Sequence, residues 1–225
     1  PFEKDLVETF KNGTLSVGFI GLSEAVEILF DKKIYEDENL WRQTIDFVKF
    51  MRKKMNQNTN YYNLNFSLLA TSGEGISSRF LDIDKELYSH TCLEKGYYTN
   101  SFHIEVDSNV SAFRKLELEG PYHKYCNGGS ISYVELGEAP IHTPNALSSI
   151  LKYAMENNIN YLGFNFPLDI CKKCGHEGFY NSCPNCGSPD MYRIRRVSGY
   201  LEMLDNFGKG KLNEENNRRK NHFGA

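Results

Sequence analysis

Two short cysteine pairs constrain this chain more than any other feature: Cys171-Lys-Lys-Cys174-Gly and Cys183-Pro-Asn-Cys186-Gly, separated by eight residues. In each pair the two thiolates project toward one point. The glycine after each pair permits the tight turn whose backbone amides can bond sulfur. Four thiolates at this spacing suit tetrahedral Zn(II), with bonds of about 2.3 Å. An iron site of the rubredoxin kind uses similar knuckles with much more chain between them, and two disulfides are the plainer alternative. With four protein ligands the shell is closed, so the metal is expected to be structural. His176 lies between the knuckles and reads as a solvent-facing loop histidine. A ribbon this short has little core of its own, so its metal would hold it together and position the chain beyond it.

Directly beyond the ribbon comes Arg195-Arg-Val-Ser-Gly-Tyr-Leu201. Val197, Tyr200 and Leu201 suit a buried or half-buried extended segment, where a glycine packs nothing and is floppy when unfolded. Gly199 therefore needs a reason. The tail after this segment sets Lys209, Lys211, Arg218, Arg219 and Lys220 against Glu202, Asp205, Glu214 and Glu215, a mixture that reads as a solvated helix.

Upstream, apolar periodicity alternates between strand and helix. A short helix over the first residues ends at Asn12-Gly13, and LSVGFIGL (15–22) reads as a strand buried on both faces. A longer helix is expected over 38–56, with Trp41, Ile45, Val48 and Met51 at spacings of three and four. NYYNLNFSLLAT (60–71) reads as a strand ending in the loop SGEG. SFHIEV (101–106), ISYVEL (131–136) and YLGFNF (161–166) are further strands, with a helix over 144–157 between the last two. Strand, helix, strand is the signature of an α/β sheet or barrel. The chain divides into an α/β body (1–169), a metal ribbon (170–190) and a loop with a tail (191–225).

The net charge of −3 gives no general attraction to nucleic acid or anionic membrane. No apolar run reaches membrane-span length, and the first residues lack the layout of a secretory signal. Metal-spaced cysteines fit a reducing compartment, and the cytoplasm is the default. Pro1 in place of Met makes a processed chain or a fragment the expectation.

Taken in order, NGTLSVGFIGLSE, LNFSLLATSGEGISSRF, YYTNSFHIEV, PYHKYCNGGSISYVEL, the ribbon and RIRRVSGYL resemble the anaerobic, glycyl-radical ribonucleoside-triphosphate reductases. The likeness covers essentially the whole chain, as the C-terminal part of the large catalytic subunit. It implies part of a ten-stranded α/β barrel, a four-cysteine zinc ribbon (Cys171, Cys174, Cys183, Cys186) and a C-terminal radical loop. It also implies that Gly199 carries a stable backbone radical, installed by an activating enzyme using S-adenosylmethionine and an iron–sulfur cluster. That radical would draw a hydrogen atom from a cysteine. The resulting thiyl would begin reduction of a ribonucleoside triphosphate, with formate or a thiol system as reductant. Family members look like homodimers. The residue type has its own logic, because a Cα without a Cβ can become planar, and the adjoining amides delocalise the unpaired electron. Burial among Val197, Tyr200 and Leu201 is expected to shield it.

The family's thiyl cysteine lies upstream of the matched region, and Cys92 and Cys126 read as core cysteines. Glu74 sits on a glycine-flanked loop at a strand end, where barrel sites place acids and bases, and in the resemblance it is a proton-transfer group. Asn100, Ser101 and His103 could meet substrate, but strand-capping polar residues explain them as well; His123 is similar and is assigned no role. The tail's basic cluster could dock an acidic activase. A partial barrel has open strand edges, so the chain is expected to be a piece of a longer polypeptide or half of a split enzyme. Alternative readings are another glycyl-radical enzyme, a spare-part radical domain acting in trans, and a zinc-ribbon module binding nucleic acid or protein. The last would need a basic ribbon face, and Lys172 and Lys173 against Glu177 and Asp190 do not make one.

Overall fold

The computed structural model describes residues 11–140, 143–197 and 199–223. The helix expected at the N-terminus falls on residues 1–10, outside that set. Strands β1 (Thr14–Phe19) and β2 (Asn65–Ala70) pair in parallel, from Thr14 opposite Asn65 to Phe19 opposite Ala70. Parallel neighbours need a long crossover, here supplied by α1 (Leu22–Phe30) and α2 (Glu38–Tyr62). The Asp37 side chain starts α2 by accepting the amides of Asn39 and Leu40, and Asn63 in the left-handed region (φ 51°) stops it. Leu40, Thr44, Val48 and Met55 form its buried face.

After β2 come α3 (Glu74–Leu87) and α4 (Ala112–His123). A second parallel pair then joins β3 (Ser132–Glu135) to β4 (Leu162–Asn165) through α5 (Pro144–Glu156). A parallel bridge from Leu69 to Gly129 links β2 to the approach of β3. The architecture is mixed α/β. One core gathers Val26, Val48, Leu68, Phe102, Leu118 and Tyr122, and a second packs Leu116, Val134, Ile150 and Ala154. Each fully buried large apolar side chain contributes roughly 1.5–3 kcal/mol.

Three expectations need correcting. The segment 15–22 is not buried on both faces: Leu15 and Val17 in β1 are exposed, because among the described residues β1 pairs only with β2 and nothing covers its other side. SFHIEV is not a strand. Ser101 adopts φ 42° and the His103 amide bonds the Asn100 carbonyl, making a turn that still buries Phe102 and Ile104. The apolar–polar alternation of the residue types suggests a strand, but burial in the loop does not alternate, since Ser101 and Glu105 are buried as well. The third correction concerns the tail.

The C-terminal residues build an antiparallel sheet in the order β6-β5-β7-β8, from β5 (Leu168–Cys171), β6 (Glu177–Gly178), β7 (Met191–Arg196) and β8 (Leu201–Met203). Helix α6 (Lys209–Asn217) and an extended end complete the chain's C-terminal part. This tail is not a solvated helix, since Lys211, Glu214 and Asn221 are buried. Arg218 donates to Glu135 (2.6 Å), Glu214 (3.2 Å) and Glu215 (2.7 Å). Arg195 of β7 joins Glu215 to Asp169 of β5. Asn221 exchanges hydrogen bonds with the Glu135 backbone, donating from its own amide to the carbonyl and accepting the Glu135 amide on its side chain, each at 2.8 Å. A chain of charges thus welds ribbon sheet, tail and β3 together, and Arg218 is spent inside the molecule instead of facing a partner.

Candidate functional site

The four ribbon cysteines converge, with all their sulfur atoms within 4.8 Å of one another. Cys171 and Cys186 lie 3.6 Å apart, and Cys174 and Cys183 3.5 Å. A disulfide needs about 2.05 Å, so these are free thiols. A tetrahedron with 2.3 Å metal–sulfur bonds has edges of about 3.8 Å, close to what the chain presents. Gly175 (φ 72°) and Gly187 (φ 71°) take the left-handed conformation after each knuckle. Their amides bond the carbonyls of Cys171 (2.9 Å) and Cys183 (2.8 Å), closing both turns. The Asn185 side-chain amide points at the Cys174 sulfur (3.5 Å) and, with the His176 backbone amide, lowers that thiol to about 6. A thiolate-rich, preorganised donor set of this shape could hold a metal ion such as zinc. His176 stands outside it, its ring against Tyr180.

Strand β7 leads directly out of this cluster into a hairpin with β8. Arg196 faces Leu201, and the Val197 amide donates to the Tyr200 carbonyl at 3.0 Å, which puts Gly199 at the apex. Val197 is buried, as expected. Tyr200 and Leu201 are half exposed, and Gly199 is exposed. The expected shielding is therefore not provided by the described residues. A Cβ built at Gly199 would meet no heavy atom within 4 Å. Crowding therefore does not explain why glycine stands there.

Glu74 opens α3 just beyond the end of β2, and the Tyr200 hydroxyl donates to its Oε2 at 3.1 Å. The structure thus brings together two positions that the sequence offered separately, the acidic loop and the glycine hairpin. Asn100 accepts the Gly73 amide at 2.8 Å and props the loop that carries Glu74. Tyr200 and Asn100 gave little sign of these roles, because both partners lie far away in sequence.

The remaining histidine candidates make hydrogen bonds within the chain. His103 donates its Nε2 hydrogen to the Ile131 carbonyl (2.6 Å), and its burial favours the neutral ring. His123 accepts the Asn160 amide on Nδ1 and bonds Ser132 through Nε2, and burial lowers it to about 4. Burial raises the Cys92 thiol to about 11 and the Cys126 thiol to about 12, so both are protonated core thiols. No helix among the described residues is long and apolar enough to cross a membrane.

The family model described as anaerobic ribonucleoside-triphosphate reductase matches residues 2–222. The anaerobic ribonucleoside-triphosphate reductase of Escherichia coli (strain K12) is 36% identical over 99% of this chain and 33% of its own length. A solved anaerobic ribonucleotide reductase shares the fold with a TM-score of 0.78 at 20% identity, covering 91% of this chain and 33% of that one. The Thermotoga maritima anaerobic ribonucleotide reductase, solved in complex with dATP and CTP, superposes with a TM-score of 0.72 at 19% identity over 88% of this chain and 33% of its own. The chain spans about a third of the length of the curated relatives it matches. With its α/β body, cysteine cluster and glycine hairpin in this order, the chain belongs to the anaerobic ribonucleoside-triphosphate reductase family.

Proposed function

We propose that this chain is the C-terminal catalytic region of an anaerobic ribonucleoside-triphosphate reductase, that Gly199 stores its backbone radical, and that zinc on Cys171, Cys174, Cys183 and Cys186 is the hairpin's scaffold. The observation that carries this reading is the apex itself. Gly199 follows β7, a strand rooted in the cysteine cluster, by three residues, and no neighbouring atom forbids a side chain there. What requires glycine is then the chemistry of its Cα, which becomes planar once a hydrogen atom is removed. A radical-SAM activating enzyme would remove that atom. In turnover the Gly199 radical takes the hydrogen atom of a cysteine S–H supplied by the rest of the enzyme, re-forming its Cα–H bond and leaving a thiyl. The thiyl takes the 3′-hydrogen of a bound ribonucleoside triphosphate, water leaves from C2′, and formate or a thiol system supplies the reducing electrons. Glu74, beside the hairpin, is the proposed proton-transfer group.

The complete enzyme is taken to be a cytoplasmic homodimer, with the body ending near residue 169, the ribbon near 190 and the radical segment beyond. Continuity of β5 and β7 with the hairpin argues against a free-standing ribbon module. The test is anaerobic activation of the complete reductase, followed by electron paramagnetic resonance. A doublet is expected in the wild type and none in Gly199→Ala. A doublet that persists in Gly199→Ala overturns the assignment.

A further inference from the structure

The Tyr200–Glu74 hydrogen bond joins residues 126 positions apart and ties the hairpin to the first residue of α3. Its two ends are unlike the rest of the hairpin. Tyr200 is the residue immediately after Gly199, and Glu74 is the first residue of α3. The same helix holds the segment after the hairpin. A Cβ on Gly210, in α6, would lie 2.6 Å from the Ser78 Cβ, so α6 is in backbone-close contact with the first turns of α3. Between the two attachments lies a cleft of about 220 Å³, lined by Glu74, Ser78, Val197, Tyr200 and Lys211 among others. The apex is therefore held from both sides on one helix, by a bond before the cleft and a packing contact beyond it.

Resting on the reading of Gly199 as the radical site, we infer that Tyr200 is a positioning residue for radical transfer: its hydroxyl, clasped by the Glu74 carboxylate, sets the direction in which the Gly199 Cα faces. The bond is half exposed, and such a bond adds little to stability because water competes for both partners. Its value is geometric. Apart from the backbone pairing inside the hairpin, an apex residue whose own Cβ position touches nothing has little else to orient it. The phenol also stays a donor, since the bond to Glu74 raises it above its ordinary value. Hydrogen-atom transfer depends steeply on the separation and alignment of the reacting atoms, so a loosened apex would slow turnover without weakening substrate binding.

The test is Tyr200→Phe in the complete reductase, which removes the hydroxyl and keeps the ring. After anaerobic activation the variant is expected to show the radical doublet in normal yield, with altered hyperfine splitting. Its kcat should fall on the order of tenfold, with KM for the nucleoside triphosphate and the thermal midpoint unchanged. Wild-type kcat and an unaltered doublet would overturn the inference. So would a fall in the thermal midpoint that matches the loss of activity, which marks a merely structural contact. Loss of the doublet in Tyr200→Phe alone would move the residue to activation and overturn it as well. A wild-type enzyme without a doublet, or a doublet surviving in Gly199→Ala, would instead sink the reading beneath it.

Discussion

The ribbon and the tail both lack an apolar core, and they solve that problem by opposite means. Around the ribbon's cysteines only Met191 adds a buried apolar side chain, and like-charged thiolates gathered within 4.8 Å need a cation that the sequence does not encode. The tail encodes all its counter-charges, but one of them, Glu135, lies 83 residues from Arg218. The ribbon is thus conditional on metal supply, and the tail is conditional on β3 being in place. Order in the ribbon is borrowed from outside the chain; order in the tail is borrowed from elsewhere within it.

The largest test removes the metal. Structural zinc in small ribbons contributes on the order of 10–16 kcal/mol, so a chelator under reducing conditions should abolish hydrogen-exchange protection across β5 and β7. Protection in α2 and α4 should remain, and an unchanged ribbon after verified metal loss would break the comparison. Next comes Arg218→Ala, which takes the shared cation from Glu135, Glu214 and Glu215 and leaves Glu214 to Lys211 and Glu215 to Arg195. A loss of about 3–5 kcal/mol in urea unfolding is expected, with bound metal content unchanged. A loss below about 1 kcal/mol would show that the ion chain contributes little net stability.

Acid should act on the tail in a defined direction. Burial opposes ionisation of Glu214, but Lys211 and Arg218 outweigh it and hold its carboxyl below the ordinary 4.5. A group depressed on folding contributes stability that is present above its unfolded value and lost as pH falls through the folded one, so protection of α6 should decline below about pH 4.5. Glu215 works the other way: burial raises it, so its share is largest in acid and fades as pH rises, blunting the decline. Replacing Glu214 with Gln should flatten the profile. The smallest effect belongs to Gly199→Ala, which touches neither support. Its stability should stay within about 0.5 kcal/mol of wild type while the radical is lost. A large destabilisation would mean that packing, not chemistry, keeps glycine at the apex.

Much of this was legible in the residues. Knuckle spacing specified the thiolate cluster, and helical periodicity located α2 and α5. Short apolar runs located β3 and β4. Three features were hidden for physical reasons. The exposure of β1 depends on what lies beside it, which its own apolar run does not record. Phe102 and Ile104 are buried without strand pairing, because the turn at Ser101 is encoded by a backbone angle that serine seldom adopts. The charges of the tail looked solvated because a sequence states charge but not partner, and Glu135 is on another element. The same blindness applied to Tyr200, which counts as an apolar neighbour until its hydroxyl is seen to reach Glu74.

Strand β7 begins five residues after Cys186 and ends two before the hairpin turn. It is a rod of six residues, about 20 Å long at 3.3 Å per residue, rooted at the cysteine cluster and leading to the glycine hairpin. A rotation of only about 5° at the pivot would sweep the far end through about 1.7 Å, on a scale where misplacement by 1 Å can slow chemistry a hundredfold. A metal held by the four cysteines would act there as a bearing, and any play in it would be magnified at the hairpin.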